Sequence, residues 1–334
     1  MNYLKKQQGA ALLVVLLILA VMVIVASRIT VKYNSEFLRT KSFLAGIQAN
    51  WMDRGSDELV RRVLNQDFSD NSESTNLSQY WATQGRSFDT DDGGTITTYV
   101  HDAYACFNLN ALSNDEYVIK QENGEKLNLA NLYLRKIMEY MQVDPDDAAI
   151  VADSITDIVD MDSSPRDNGA EDAYYRALRH PFVIPNGQLY DVSEIRQVRG
   201  MTPGIYRRLR PFVCALNNNS LKINVNTIIL QKAPLLAALF LNDNLTLDDA
   251  ASVIRERSRE GWNSAGSFMS ADIVKDMITD QTRSFISRVA VVKSDYFMSQ
   301  TEVDFDGLVR SYLSFFYRSG TQAYLYQRIY GGTQ

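Results

Sequence analysis

An acidic segment between residues 157 and 172 carries the densest set of side chains that could do chemistry. Hard oxygen ligands in a short flexible loop suit Ca²⁺, which takes about six to eight oxygens. The spacing is not that of an EF-hand, because neither the central glycine nor the terminal glutamate falls in position. The residues alone leave two interpretations open, a cation site and a solvated loop with helix caps, and they favour the solvated loop.

Catalytic chemistry of other kinds finds little support in the chain. His101 and His180 are the only histidines and lie far apart, so a His-based triad or a multi-histidine metal site is hard to build. No phosphate-binding loop, G-x-S-x-G elbow, H-E-x-x-H helix or dinucleotide fingerprint occurs. We therefore expect a protein that is not an enzyme.

Cys106 and Cys214 are the only cysteines, which excludes a disulfide-dense scaffold and a cysteine-rich zinc site. If the chain is exported to an oxidising compartment, the two can form one bridge. Closing that loop would constrain the unfolded chain by about 4–5 kcal/mol. Two free buried thiols are the alternative, and we favour the bridge.

Length and composition bound the remaining classes. The 334 residues are 46% hydrophobic, enough for a sizeable core and for more than one domain. The net charge of −6 repels a phosphate backbone, so general nucleic-acid binding is disfavoured.

The elements that position these residues begin with an apolar N-terminal segment. Lys5 and Lys6 precede an uninterrupted apolar run over residues 10–26, which would span roughly 25 Å as a helix. The lysines place the N-terminus in the cytoplasm and the rest of the chain outside. Apolar positions three or four apart continue to Leu64 without a proline, which predicts one long helix. A cleaved secretory signal is disfavoured, whereas a plain signal anchor and a pilin-type start both stay open.

Strand patterns flank a helical block in the rest of the chain. Residues 94–106 predict one strand, and turns at Asp306-Gly307 and Ser319-Gly320 separate strands near the C-terminus. The predicted C-terminal strands cover residues 285–292, 296–305, 308–318 and 323–330. Between the two strand regions, helix-start signals stand at Asp144-Pro145, Asp191–Glu194, Thr202-Pro203 and Thr246–Asp249. The pattern predicts an α+β fold, an N-terminal helix packed on an antiparallel sheet, with an all-α insertion.

Two stretches of the predicted insertion resemble helix-hairpin-helix or SAM-like units. One covers residues 192–203, and the other begins at residues 223–227 and ends with residues 250–264. Such units often bind DNA through a glycine-containing hairpin at a helix N-terminus. A packing module that never contacts nucleic acid is favoured here, because the chain is acidic and is expected to be exported.

The first residues resemble the class III signal of type IV pilins and pseudopilins. A short basic leader ends in Gly9, and the small Ala10 opens the apolar helix. In that family a prepilin peptidase cuts after the glycine, the new N-terminal residue is usually methylated, and the helix packs in a filament core. The family usually carries glutamate at the fifth mature position, where this chain has Val14.

Further stretches extend the resemblance over nearly the whole chain to subunit K, the large minor pseudopilin of type II secretion. The matching stretches are residues 105–110, 169–175, 198–203, 213–214, 296–297 and 306–307. The missing glutamate is typical of that subunit. A subunit without this carboxylate cannot neutralise the amine of a subunit ahead of it, which favours first position at the filament tip.

The resemblance implies a function, partners and a location. The expected role is to initiate and cap the pseudopilus together with the minor subunits I and J, in export of folded proteins across the outer membrane. The expected location is the bacterial inner membrane, with a single span and a periplasmic bulk. Two alternatives stay open, a minor pilin of a DNA-uptake or adhesive type IV pilus and a plain membrane-anchored periplasmic binding protein.

The resemblance also implies calcium in the helical domain. It favours five carboxylates as Ca²⁺ ligands, with Arg166 as a competing partner for one of them: Asp160, Asp162, Asp167, Glu171 and Asp172. The implied organisation is a leader (1–9), a transmembrane and stalk helix (10–64), a first pilin-like part (65–110), the insertion (111–282) and a second pilin-like part (283–334).

Overall fold

The computed structural model describes residues 8–331, apart from residues 84, 92, 122, 123, 125 and 242–244. Among these residues the α-helices are α1 (Gln8–Asp70), α2 (Leu129–Tyr140), α3 (Pro145–Val159), α4 (Asp172–Arg176), α5 (Pro203–Leu209), α6 (Ala233–Ala238), α7 (Leu247–Glu256), α8 (Ala265–Met269), α9 (Asp272–Lys275) and α10 (Asp280–Val289). The first seven residues of the predicted leader lie outside the described residues.

Five strands form one antiparallel sheet in the order β1-β2-β9-β10-β11, and the others form three two-stranded pairs. The strands are β1 (Arg86–Asp89), β2 (Thr95–Asp102), β3 (Phe107–Asn108), β4 (Val118–Lys120), β5 (Lys126–Asn128), β6 (Val213–Cys214), β7 (Ile223–Asn224), β8 (Ala290–Val291), β9 (Tyr296–Phe305), β10 (Leu308–Ser319) and β11 (Gln322–Tyr330). The sheet and α1 make the pilin-like part, and the helical insertion lies between β2 and β9 in the chain.

Helix α1 is continuous, and it runs to Asp70 rather than ending near Leu64. Val60, Leu64 and Phe68 follow each other at intervals of four, so they share one helical face. All three are buried in a cluster with Trp81 and Phe297. The residues around Phe68 are polar, so the apolar periodicity does not predict this last turn of α1. Packing of Phe68 against the sheet keeps the turn helical.

The C-terminal hairpins have the predicted turns. Asp306 and Gly307, both at positive φ, join β9 to β10, and Gly320 at φ 62° stands between β10 and β11. Glycine tolerates this left-handed backbone without steric cost. Strand β1 was not predicted, because its four residues are mostly exposed and polar; it pairs with β2 at the sheet edge.

The prediction of a strand over residues 285–292 is wrong, because most of that stretch lies in helix α10. Thr279 caps the helix, since its side chain accepts a hydrogen bond from the backbone N–H of Thr282. Phe285, Ile286 and Val289 have no exposed surface and lie on one helical face against the core of the insertion. The adjacent Val, Ile and Phe residues suggest a strand, but the cap and the buried face decide for a helix.

The insertion is built around one large hydrophobic core. A helix begins at each of the predicted positions. Asp144 caps α3, Thr202 caps α5, and Thr246 caps α7 with a capping box. Asp191 also forms a capping box, but it opens a 3₁₀ helix rather than an α-helix. The insertion is not entirely helical, because it contains the β4–β5 hairpin and two-residue strands.

A buried carboxylate holds the insertion on the sheet. Asp102, at the end of β2, accepts hydrogen bonds from Ser294 Oγ at 2.6 Å, Thr227 Oγ1 at 2.6 Å, Asn224 Nδ2 at 2.9 Å and the Tyr104 backbone N–H at 2.7 Å. Asn224 and Thr227 belong to the insertion, whereas Asp102 and Ser294 flank it. The carboxylate therefore joins three separate segments of the chain.

The insertion lies beyond the C-terminal end of α1. Thr75, just after that helix, donates its backbone N–H to Val292 O at 2.8 Å, and its carbonyl accepts from Asn224 Nδ2 at 3.1 Å. At about 1.5 Å per residue, the 63 residues of α1 span roughly 95 Å. The insertion thus stands at the opposite end of the molecule from the apolar run.

Candidate functional site

Three of the predicted calcium ligands converge at the end of α3. Asp160 is the C-cap of that helix, Asp162 follows in an extended loop, and Glu171 is the N-cap of α4. One carboxylate oxygen from each lies within 4.8 Å of the other two. The loop therefore brings Glu171 next to Asp160 and Asp162, which precede it by eleven and nine positions.

A bound cation would offset the repulsion among the carboxylates of this cluster. Glu171 is 5% exposed, and neither of its carboxylate oxygens accepts a well-formed hydrogen bond; weaker interactions with the Asn186 side chain and the Asp172 backbone N–H only partly offset its burial. Asp160 Oδ1 is also buried without a well-formed hydrogen bond. Burial, together with the neighbouring carboxylates, raises the pKa of both groups. Two ionised carboxylates at such a separation repel each other by about 3 kcal/mol at an effective dielectric of about 20. Hard, partly desolvated oxygens in this arrangement fit Ca²⁺.

The other two predicted ligands lie outside the cluster. Asp172 forms an ion pair with Arg176 at 2.6 Å and accepts a hydrogen bond from the Ile184 backbone N–H. Asp167 is exposed and is not among the three converging carboxylates. The competing pairing is present in weak form, because the Arg166 guanidinium lies 3.6 Å from Asp160 Oδ2.

Asn186 is a neighbour of the cluster that the sequence did not reveal. Its Nδ2 donates to the Asp162 carbonyl at 3.0 Å, and its Oδ1 is buried without a partner. An amide oxygen is a common calcium ligand. No local pattern links position 186 to the acidic loop, because the two meet only in the tertiary structure.

Asp157 lies buried beneath the acidic loop, and its carboxylate accepts a hydrogen bond from the Arg166 backbone N–H. Its side chain has no exposed surface, and burial, with the charges of Asp160 and Glu171 adding to it, raises its pKa to about 7. A Cβ at Gly169 would stand 1.9 Å from Asp157 Oδ2, so glycine is required for the loop to close over this carboxylate. The spacing of Asp153, Asp157 and Asp160 on one face of α3 was a signal for this arrangement.

Comparison with known proteins places the chain in a family. Two family models, both described as type II secretion system protein K, match residues 105–218 and 223–284. The type II secretion system protein K of Pectobacterium carotovorum subsp. carotovorum is 35% identical over 98% of this chain and 97% of its own length. That of Aeromonas hydrophila is 37% identical over 88% of this chain and 87% of its own length. The chain belongs to the type II secretion system protein K family.

A solved relative of this protein K family agrees in fold. A chain in the crystal structure of the GspK–GspI–GspJ complex from enterotoxigenic Escherichia coli superposes with a TM-score of 0.79 at 29% identity. The superposed region covers 88% of this chain and 100% of the solved chain. The predicted pilin-like fold with a helical insertion is thereby confirmed, and the type IV pilus alternative is not favoured.

In this protein K family member the two residues of the predicted processing site stand at the start of helix α1. Gly9 and Ala10 lie in its first turn, and Val14 is 55% exposed. Every side chain from residue 10 to residue 44 is exposed, and in this part of α1 the ion pair between Lys41 Nζ and Asp306 Oδ2 at 2.9 Å is a surface contact that buries neither side chain. By length and composition, α1 is the one helix among the described residues that could cross a membrane.

The predicted disulfide of this protein K family member is present. Cys106 and Cys214 form a bridge, and no free cysteine is left. Cys106 precedes β3, whereas Cys214 ends β6, which pairs with β3 in parallel. The bridge therefore joins the first residues of the insertion to the chain that returns after α5.

Proposed function

We propose that this protein is the leading subunit of a type II secretion pseudopilus, which initiates assembly and caps the filament for export of folded proteins across the outer membrane. Val14 carries the proposal. It stands five residues from the predicted cleavage point, on an exposed helical face, where a carboxylate would otherwise neutralise the N-terminal amine of a neighbouring subunit. In a low-dielectric filament core, an amine facing Val14 would stay unpaired at high cost.

The place of the insertion supports the same role. It stands beyond the C-terminal end of α1, held there by the contacts of Thr75 and Asp102. A subunit that arrived above would meet this bulk before its own helix could pack along α1. A large insertion at the far end thus hinders further stacking and suits a terminal subunit.

The assembly partners follow from the family and from the exposed helix. We infer that a prepilin peptidase cleaves after Gly9, that Ala10 becomes the methylated N-terminus, and that α1 rests in the inner membrane before assembly. The solved relative is in complex with GspI and GspJ. We propose subunits I and J as the partners of this chain, packed along the exposed surface of α1.

Locating the protein in assembled filaments tests the proposal. The full chain carries a small label on an exposed loop and is assembled in cells with the other pseudopilins. We expect one labelled subunit per filament, at an end, and an N-terminal mass that begins at methylated Ala10. Labels distributed along filaments would refute the tip position, and an intact leader in working complexes would refute the processing.

We also propose that the cluster of Asp160, Asp162 and Glu171 binds Ca²⁺, with Asn186 Oδ1 as a further oxygen ligand. The buried Glu171 carboxylate, which accepts no well-formed hydrogen bond, carries this proposal. The ion would neutralise the cluster and fix the loop between α3 and α4, as a structural element of the insertion. Thermal unfolding of the full chain in neutral detergent is compared in calcium, magnesium and chelator. We expect calcium alone to raise the melting temperature clearly, since Mg²⁺ requires stricter octahedral geometry; no rise would refute the site.

A further inference from the structure

A basic and aromatic ridge runs along the insertion between two clefts. Arg196, Tyr206 and Arg210 border both clefts, whose volumes are about 450 Å³ and about 410 Å³. The guanidinium of Arg196 stacks on the Tyr206 ring at 4.7 Å from its centroid, which holds the ridge in place. The acidic cluster described above contributes no residue to either cleft.

The first cleft has an apolar floor made by the sheet. Leu313, Phe315 and Ile329 lie on the face of the sheet that points away from α1, and they belong to a separate small hydrophobic cluster. The insertion covers only part of this face, and Tyr190 stands at the rim of the cleft with 70% of its surface exposed. Leu313 and Phe315 are themselves 5% and 8% exposed and Ile329 is half-buried, so the accessible apolar surface next to the arginines is mainly that of Tyr190 above a narrow floor.

The charge of the ridge is not neutralised within the described chain. Arg196, Arg207 and Arg210 form no ion pair with a described carboxylate within 4.0 Å. The acidic residues nearest in sequence are Asp191, which lines the first cleft, and Glu194, and both carboxylates bond backbone N–H groups rather than an arginine of the ridge. Glu194 Oε1 accepts from the backbone N–H of Asp191 at 2.8 Å, and Asp191 Oδ1 accepts from the N–H of Ser193 at 2.7 Å.

The second cleft is likewise lined by both arginines and apolar side chains. Met201, Pro203 and Pro211 line it together with Arg207 and the ridge. Arginine, tyrosine and methionine are among the side chains that are enriched in protein–protein interfaces. On a chain with net charge −6, a local group of three unpaired arginines is a distinct surface and not part of a general basic character.

We propose that this ridge and its two clefts bind an acidic protein segment that also carries aromatic or aliphatic side chains. The apolar side chains enter the clefts, and the carboxylates pair with Arg196 and Arg210, whose planar guanidinium groups form bidentate hydrogen bonds with carboxylates. Nucleic acid fits less well, because a phosphate backbone needs a longer basic track and the protein as a whole is negative. The proposal goes beyond the tip function and does not depend on it.

Binding of a defined peptide to the full chain in neutral detergent tests the proposal. The probe is a fluorescein-labelled short peptide in which Asp and Glu alternate with Phe and Leu, read by fluorescence anisotropy. Two comparison probes are the same peptide with lysine for every acidic residue and a labelled duplex DNA. We expect the acidic peptide to bind in a salt-dependent manner and the lysine peptide not to bind. Tighter binding of the DNA, or equal binding of both peptides, would overturn the proposal.

Charge reversal locates the binding surface. Arg196→Glu with Arg210→Glu should weaken peptide binding by at least about tenfold, because two charge-assisted contacts are lost. The matched control, Arg255→Glu with Arg259→Glu, makes the same change in net charge at exposed positions of the insertion and should stay within about twofold. Arg196→Gln with Arg210→Gln carries a smaller risk to folding, and its loss of peptide affinity should lie between those of the two charge-reversal pairs. Equal losses in the ridge and control pairs would overturn the proposal.

Discussion

Removal of the Asp102 carboxylate should loosen the insertion from the pilin-like part. In Asp102→Ala, the backbone N–H of Tyr104 and the hydroxyl of Ser294 lose the acceptor that they have at 2.7 Å and 2.6 Å. Thr227 Oγ1 can still donate to Asn224 O at 3.2 Å, and Asn224 Nδ2 retains the Thr75 carbonyl. Two buried donors are therefore left without an acceptor.

Each buried donor without a partner costs about 1–3 kcal/mol, so we expect a loss of about 4 kcal/mol in the free energy of unfolding. For a chain of this size, that corresponds to a fall of about 10 °C in the melting temperature. Thermal unfolding of the full chain in detergent, followed by intrinsic fluorescence, measures it. Limited proteolysis should in parallel cleave the insertion faster, because the variant also loses the hydrogen bonds from Asn224 and Thr227 that join the insertion to Asp102.

Asp304→Ala is the matched control for this variant. Asp304 lies on β9 in the same sheet, but its side chain is exposed, so its loss should change the free energy of unfolding by less than about 0.5 kcal/mol. If Asp102→Ala melted as close to the parent protein as the control does, the carboxylate would not hold the insertion in place, and the reasoning would be refuted.

Three further predictions concern the bridge, the calcium cluster and pH. Replacing both Cys106 and Cys214 by Ser should cost about 4 kcal/mol by the loop-entropy estimate, measured by denaturant unfolding without reductant; unchanged stability would contradict it. Glu171→Gln should abolish the rise in melting temperature caused by calcium and raise stability in chelator, whereas Asp167→Asn should do neither. Burial raises the pKa of Asp102 above 3.8, so above about pH 4 this carboxyl holds its proton more strongly in the folded state than in the unfolded state. The free energy of unfolding therefore falls as the pH rises through that range. Asp102→Asn should flatten that slope in a melting series, and an unchanged slope would contradict it.

Local signals in the sequence were sufficient for much of the fold. Asp144-Pro145 and Thr246 cap helices where predicted, and Asp306-Gly307 turns between β9 and β10. These features depend on residues within one turn of each other, so no distant contact is needed to produce them. The apolar run after Gly9 likewise predicts a helix from composition alone.

Packing decided the elements whose local pattern was ambiguous. The stretch around Phe285 and Val289 has the composition of a strand, yet burial of one helical face in the core of the insertion makes it α10. Phe68 prolongs α1 because it fits against Phe297 of the sheet, a contact between residues far apart in the chain. Sequence spacing cannot report such contacts.

The functional surfaces divide in the same way. The sequence by itself determined a long apolar helix with Val14 near its start, an acidic loop and two cysteines able to pair, because these depend on residue type and short spacing. Only the tertiary structure decided that Asp160, Asp162 and Glu171 converge while Asp167 stays apart. The physical reason is that convergence depends on how α3, α4 and the loop pack around a buried Asp157, and long-range packing selects among carboxylates that are chemically alike.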